Sequence, residues 1–305
     1  MRHCCGSAGF AGRPQRGKMV TARELWRDAV CRLKQMQVED AEFDAAQLVY
    51  FVTGLNAYSE TGVPPESQTV LDGLLERRCH HEPLQYLLGE WDFLDLTLCV
   101  GPGVLIPRPD TELVAQQAIE AARKKEAARV VDLCSGSGAI ALAVACHVPD
   151  SQVTAVELSS QALKYLDRNN QKYGSPLRVV QADVLCWDSG LEDESFDIIV
   201  SNPPYISPDE MQQLAPELAF EPRMALEAGE RGLEFYSHIA PAYFSKLSPG
   251  GVLIFEIGWL QGKDVSCICQ KAGYIDVTVL KDLGGRDRCV CAKRPRGEAI
   301  PENSE

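Results

Sequence analysis

The chain has 305 residues, 45% of them hydrophobic and 24% charged, and a formal net charge of −13. That is enough for one large domain plus a small one, and too acidic for broad binding to a phosphate backbone, which needs clustered Lys and Arg. No run reaches the ~18 apolar residues of a membrane span. The 12 cysteines include two Cys-x-Cys pairs, Cys267/Cys269 and Cys289/Cys291, and no Cys-x2-Cys pair. They read as small buried hydrophobes in a reducing compartment. His3, His80, His81, His147 and His238 do not pair with carboxylates at ligand spacing, so no metal site is expected.

Residues 1–18 carry Arg2, Arg13, Arg16 and Lys18 and no acid. They are glycine-rich and lack an apolar face, so they read as a disordered extension in preference to a transit peptide, and a cytoplasmic location is expected. From Thr21 to Gly54, apolar residues recur at helical spacing: Leu25, Trp26, Ala29, Val30 and Leu33, then Ala45, Leu48, Val49 and Val52. A third helix is expected over Glu66 to His81, with Val70, Leu71, Leu74 and Leu75 on its packed face. Residues 19–88 thus form a small all-helical domain, either plain packing or a module that docks a partner. Leu84 to Gly89 read as a connector, and Trp91 to Leu98 as a β-hairpin within a linker over 89–109. Gly101 to Glu112 is a proline-punctuated loop entering a helix at about Thr111.

From Arg129 the rhythm changes to strand–helix alternation. Strands are expected at Arg129–Leu133, Gln152–Val156, Leu177–Gln181, Phe196–Val200, Val252–Ile257, Tyr274–Lys281 and Asp287–Cys291. Helices are expected at Ser137–Val148, Ser160–Tyr173, Leu233–Leu247 and Gly262–Ala272. Such alternation gives a mostly parallel sheet with helices on both faces. Asp282 to Gly285 is too short for a parallel crossover, so the last two strands pair antiparallel. The fold class is α/β, with a seven-stranded sheet ending in an antiparallel strand. This is the outline of the Rossmann-like class I methyltransferases, here over 110–294, followed by a polar tail at 295–305.

Two stretches carry chemistry. The first strand runs into Asp132-Leu-Cys-Ser-Gly-Ser-Gly-Ala-Ile-Ala141, and glycines at a strand-to-helix turn let a backbone approach a ligand closely. Glu157 ends the second strand, where a carboxylate accepts hydrogen bonds from both hydroxyls of a ribose. Asp183 follows the third, placed to meet an adenine amino group. The glycine pattern and the acid spacing equally fit a dinucleotide fingerprint. The second stretch is Ser201-Asn-Pro-Pro-Tyr205. It stops an apolar strand with two prolines, which lack N–H groups and fix φ. The Asn202 side chain and the Pro203 carbonyl form a pair of acceptors with no proline N–H to compete for them, followed by the aromatic Tyr205. That pair suits a conjugated –NH2, a poor nucleophile whose lone pair must be oriented toward a sulfonium methyl. A hydride-transfer enzyme has no need of it.

The chain resembles the HemK/PrmC family, the peptide chain release factor N(5)-glutamine methyltransferases. The carriers are Gly89-Glu-Trp-Asp-Phe93, Ile106-Pro-Arg-Pro-Asp-Thr-Glu112, the Asp132–Ala141 run, Ser201-Asn-Pro-Pro-Tyr-Ile206, and the stretch from Glu221-Pro222 to Gly232-Leu233. The resemblance implies methylation of the side-chain amide of the glutamine in the Gly-Gly-Gln loop of class I release factors, with S-adenosylmethionine as methyl donor and no metal. It implies that Asn202 and Pro203 are catalytic and that Asn202, Pro203, Pro204 and Tyr205 bind the substrate. Cys134, Ser135, Gly136, Ser137, Gly138, Glu157, Asp183 and Asn202 would bind the cofactor. The helical domain would dock the release factor, with no direct nucleic-acid or membrane contact, and the chain is expected to be a monomer. Two positions depart from the family. Cys134 stands where glycine is usual and fits if its φ is negative; Val184 stands where an aromatic residue is common. The alternatives are a DNA adenine-N6 methyltransferase and a non-catalytic S-adenosylmethionine-binding protein.

Overall fold

Thr21 opens the first helix with a reciprocal cap. Its hydroxyl accepts from the Glu24 backbone N–H, and the Glu24 carboxylate accepts from the Thr21 N–H. In the computed structural model, residues 19–212, 214–229 and 231–296 are described. The chain divides into two units between His81 and Glu82. The expected extension at 1–18 and the tail beyond 296 lie outside the described residues.

The first unit holds α1 (Ala22–Gln35), α2 (Ala41–Thr53) and α3 (Pro65–Cys79). α2 stops at Gly54, whose φ of +67° only glycine adopts freely. Ala29, Leu33, Ala45, Leu48, Val49, Leu71 and Leu75 form the core. Burying each large aliphatic side chain contributes roughly 1.5–3 kcal/mol. Val70, expected on the packed face, is exposed. Its neighbours Leu71 and Leu75, at i,i+4 spacing, take the inward stripe. A buried ion pair, Arg78 to Asp44 at 2.6 Å, crosses from α3 to α2.

The second unit begins with α4 (Leu84–Leu88), a helical turn where a connector was expected, closed by Gly89 at φ +78°. The hairpin β1 (Glu90–Phe93) and β2 (Leu96–Cys99) follows, then α5 (Pro109–Ala122). The remaining elements are β3 (Arg129–Leu133), α6 (Ala139–His147), β4 (Gln152–Glu157), α7 (Ser160–Lys172), β5 (Leu177–Gln181), α8 (Val184–Trp187), β6 (Phe196–Ser201), α9 (Pro208–Met211), α10 (Glu234–Ala242), β7 (Leu247–Glu256), α11 (Gly262–Lys271), β8 (Ile275–Lys281) and β9 (Asp287–Lys293). The hairpin packs within this unit. Asn169 of α7, fully buried, exchanges hydrogen bonds with Cys99 and also donates to the Ser137 carbonyl.

The seven-stranded sheet has the order β5-β4-β3-β6-β7-β9-β8. β5 through β7 run parallel, and β9 is antiparallel to both its neighbours. Alternation sorts the strands onto two faces. Val130, Ile198 and Val200 pack with Ala118, Ile119 and Leu142 on one side. Val131, Leu133 and Ile199 pack with Tyr236, Ile239 and Val265 on the other. Both faces are therefore covered, as a parallel sheet requires. The largest boundary shifts lie between α10 and β7: the helix expected to reach Leu247 ends at Ala242, and β7 starts at Leu247, five residues earlier than expected. Pairing with β6 shifts between Phe196/Leu247 and Ile198/Val252, a bulge that absorbs Pro249 and Gly250 (φ +76°). No helix among the described residues is long and apolar enough to cross a membrane.

Candidate active site

The strand order reverses at β3. The chain leaves β3 for β4 on one side, while β6 lies on the other. Open α/β sheets bind ligands outside the carboxyl ends of the strands at such a switch point. Leu133 and Ser201 are paired in register, and the Ser201 hydroxyl donates to the Leu133 carbonyl at 2.7 Å. The loop after β3 and the turn after β6 therefore emerge side by side. They open onto one cavity, whose wall includes Cys134, Ser135, Gly136, Ser137, Glu157, Asp183, Asn202 and Pro204. Gly138, Pro203 and Tyr205 are not on that wall. Gly138 caps α6 at φ +85°, and a Cβ there would meet Leu166 and Leu142 at ordinary contact distance.

Gly136 adopts φ +56°, and a Cβ there would project into open space, leaving room for a ligand against the backbone. Its N–H donates to Glu157 Oε2 at 2.8 Å, while Ser159 N–H donates to Oε1 at 2.7 Å. Each carboxylate oxygen keeps a further lone pair for a hydroxyl donor. Asp183 uses Oδ1 to cap α8 through the Leu185 N–H. Asp132, at the end of β3, accepts the Ala141 N–H on Oδ2 at 3.2 Å, so a carboxylate already fills the donor end of α6 where a phosphate would sit. Its other oxygen, Oδ1, is buried without a partner. Three carboxylates on one wall favour a cationic ligand over a pyrophosphate. The dinucleotide alternative left open by the glycine pattern loses its electrostatic basis here.

Burial pushes the Asp132 carboxyl up to about 7, against hydrogen bonds from Ser135 and Ala141 and with Glu157 reinforcing the rise. Between its ordinary value and about 7 the folded protein holds a proton that the unfolded chain has lost. Asp132 therefore contributes stability below this window that is lost as pH rises through it, with no further change above. In thermal unfolding at pH 5 and pH 8, Asp132→Asn is expected to show a smaller fall in Tm than the native chain. An equal fall in both would contradict the assignment.

The turn after β6 is braced from behind. Asn202 Nδ2 donates to Thr111 Oγ1 at 3.4 Å. The Tyr205 hydroxyl donates to Glu256 Oε1 at 3.4 Å. Glu256 is buried at the end of β7, and desolvation lifts its carboxyl to about 7 despite the Thr111 hydrogen bond and the nearby Arg288. Gln261 Nε2 donates to the carbonyls of Tyr205 and Gly232. Gly232 has φ +66°, and a Cβ there would lie 2.3 Å from the Tyr205 oxygen. Across the cavity, the buried Glu221 accepts the Ile106 N–H at 2.9 Å and pairs with Arg108. This ties the Pro107-Arg108-Pro109 loop to the segment after β6.

Cys134 corrects an expectation. Its φ is +64°, not negative, so a cysteine sits in the left-handed region at a cost of about 1–2 kcal/mol. Burial, with Glu157 and Asp132 adding to it, holds its thiol far above the usual range. Sequence reading gave no role to Asp132, Thr111, Glu221 or Glu256. The signal for Asp132 and Glu256 was present: each is an acid at or next to the carboxyl end of a strand with an apolar run before it.

The family model described as "PrmC N-terminal domain" matches residues 24–89, and "Methyltransferase small domain" matches residues 111–230. The chain is 41% identical over 256 residues to a release factor glutamine methyltransferase of Salmonella typhimurium, covering 82% of this chain and 91% of that one. It is 38% identical over 264 residues to that of Geobacter sulfurreducens, covering 85% and 91%. A solved release-factor-specific protein-(glutamine-N5) methyltransferase from Alicyclobacillus acidocaldarius is 30% identical, covering 64% of this chain and 98% of that one, with a TM-score of 0.41. With this identity extending over nearly the whole length of its relatives, the chain belongs to the release factor glutamine methyltransferase family.

Proposed function

We propose that this protein transfers a methyl group from S-adenosylmethionine to the side-chain amide nitrogen of the glutamine in the Gly-Gly-Gln loop of class I release factors. The observation that carries the reading is the position of Asn202. It stands at the end of β6, at the switch point, on the wall of a cavity whose other carboxylates suit a cation. Glu157 would hold the ribose hydroxyls, Asp183 the adenine amino group, and the unpaired Asp132 oxygen the amino group of the methionine moiety. The bound cofactor supplies an electrophilic methyl on a positively charged sulfur.

The residues of the turn then orient the acceptor. Among the described residues no donor reaches Asn202 Oδ1, which leaves it available for one N–H of the glutamine amide. The Pro203 carbonyl would take the other N–H, and neither Pro203 nor Pro204 has a backbone N–H to compete. Holding both N–H bonds fixes the nitrogen's direction and raises its electron density. As the nitrogen–carbon bond forms, the sulfur–methyl bond would break with its electron pair left on the sulfur, and the nitrogen would give one proton to solvent, leaving the neutral N-methyl amide. The gain comes from positioning and preorganised dipoles.

The helical unit is the docking module in this reading. α2 leaves Phe43, Tyr50 and Phe51 at 50–60% exposure, spaced i, i+7, i+8 along one face. Contiguous exposed aromatic groups of this kind mark interaction surfaces. Replacing Tyr50 and Phe51 together by alanine is expected to raise KM for the release factor by tenfold or more. The affinity for S-adenosylmethionine should not change. Unaltered kinetics toward the whole release factor would remove the docking role.

A tritiated-methyl assay offering release factor and adenine-containing DNA side by side tests the function. Label is expected in the release factor only. Label in DNA would favour adenine methylation, and label in neither would favour a cofactor-binding protein without transferase activity.

A further inference from the structure

Gln261 has no part in the scheme above, yet its side chain holds the acceptor turn from outside. It stands between β7 and α11, in a tight turn where its own N–H donates to the Gly258 carbonyl at 2.9 Å. The side chain closes the same turn in the other direction, because the Gly258 N–H donates to Oε1 at 2.9 Å. That bond sets the amide's orientation, since a flipped amide would put a donor against an N–H. Nε2 then faces two carbonyls, those of Tyr205 and Gly232, each at 3.1 Å. Two carbonyl oxygens brought together repel unless a donor stands between them, and one –NH2 has an N–H for each. Gly232 is fitted to the same contact: a Cβ there would lie 2.3 Å from the Tyr205 oxygen and 2.9 Å from Nε2.

The effect of this grip falls on Pro203. Upstream, Ser201 is held in the sheet, in register with Leu133 and Phe255. Downstream, the Ile206 N–H donates to the Leu226 carbonyl at 2.9 Å. Between these points the proline rings fix φ but supply no N–H to brace the turn, so the peptide planes of Pro203 and Pro204 turn on ψ. A bond to the Tyr205 carbonyl limits that rotation at its downstream end.

We propose that Gln261 is a positioning residue which, by holding the Tyr205 carbonyl, sets the direction in which the Pro203 carbonyl meets the substrate –NH2. The inference rests on the amide-methylation reading above.

The test compares methylation of whole release factor by the native enzyme, Gln261→Met and Gln261→Glu. Methionine has similar length and no donor. Glutamate at pH 8 keeps an acceptor for the Gly258 N–H and loses both donors, so it separates the hold on the turn from the closure of the 258–261 loop. Both variants are expected to lower kcat about 30-fold, the loss of two neutral hydrogen bonds. KM for S-adenosylmethionine should stay within threefold, because the cofactor wall lies on the far side of β6. A native kcat in either variant would overturn the proposal while leaving amide methylation intact. An unchanged kcat with a tenfold higher KM for S-adenosylmethionine would also overturn it, since Gln261 would then serve the cofactor. A native enzyme that fails to methylate the release factor would overturn both readings.

Side-chain amide exchange by NMR in the native enzyme, with Gln261 assigned from the Gln261→Glu spectrum, covers the case in which the methionine variant does not fold. Both Nε2 protons are expected to exchange at least about tenfold more slowly than those of an exposed glutamine. Two fast-exchanging protons would overturn the proposal.

Discussion

Asn202→Ala is expected to lower kcat for release-factor methylation by about 10³-fold while leaving the affinity for S-adenosylmethionine within threefold. The substitution removes one of the two acceptors for the substrate –NH2. The remaining Pro203 carbonyl holds one N–H, and the nitrogen then rotates about that single bond. An amide nitrogen whose lone pair stays delocalised and whose direction is unset reacts slowly even beside a good methyl donor. The cofactor wall, built by the loop after β3 and by Glu157 and Asp183, does not depend on Asn202 for any described hydrogen bond. Single-turnover methylation and calorimetric cofactor binding, measured on the same preparation, separate the two effects. A kcat within tenfold of native would sink the acceptor-turn argument.

Glu157→Ala is expected to have the opposite signature. It should weaken S-adenosylmethionine binding by at least 100-fold, with saturating cofactor restoring much of the rate. The Glu157 carboxylate does two things at once. It accepts the backbone N–H of Gly136 at 2.8 Å and of Ser159 at 2.7 Å, and so holds the glycine loop against the end of β4. It also keeps lone pairs for the ribose. Hydrogen bonds to a charged group contribute roughly 1.5–3 kcal/mol each, and 1.4 kcal/mol is about tenfold in affinity. Glu157→Gln should fall between the two, because its –NH2 faces one of the backbone N–H groups it would need to accept. Isothermal titration decides this. A dissociation constant within fivefold of native in the alanine variant would place the ribose elsewhere.

Much of this arrangement is legible in the amino-acid sequence, for physical reasons that differ from residue to residue. The sheet strands are short apolar runs bounded by glycine, proline and acid. Their alternation with helices of ordinary length forces a parallel sheet, and the short link Asp282 to Gly285 forces the antiparallel end. The glycine loop and the Asn-Pro-Pro-Tyr turn are local signals, because chain stiffness and missing N–H groups act within a few residues. The partners of that turn are not local. Thr111 lies 91 residues from Asn202, Glu256 lies 51 residues from Tyr205, and Glu221 lies 115 residues from Ile106. Only the strand order brings them together. Nothing within the turn says that a buried carboxyl group stands behind the Tyr205 hydroxyl. Sterics favour negative φ for a residue with a Cβ, the condition under which a cysteine was expected to fit at position 134. Here the turn between β3 and α6 overrides that preference. The early start of β7 follows from a bulge, which a hydrophobic pattern does not reveal.

The central claim is that Asn202 and Pro203 present a protein glutamine amide to the methyl donor. Mass spectrometry of the Gly-Gly-Gln peptide tests it most directly, after incubation of a whole class I release factor with the enzyme and S-adenosylmethionine. The account predicts a gain of one methylene in mass, fragmented to the side-chain nitrogen of that glutamine, and its loss in the Asn202→Ala enzyme. An unmodified glutamine, or a methyl group on any other residue of the peptide, would contradict it.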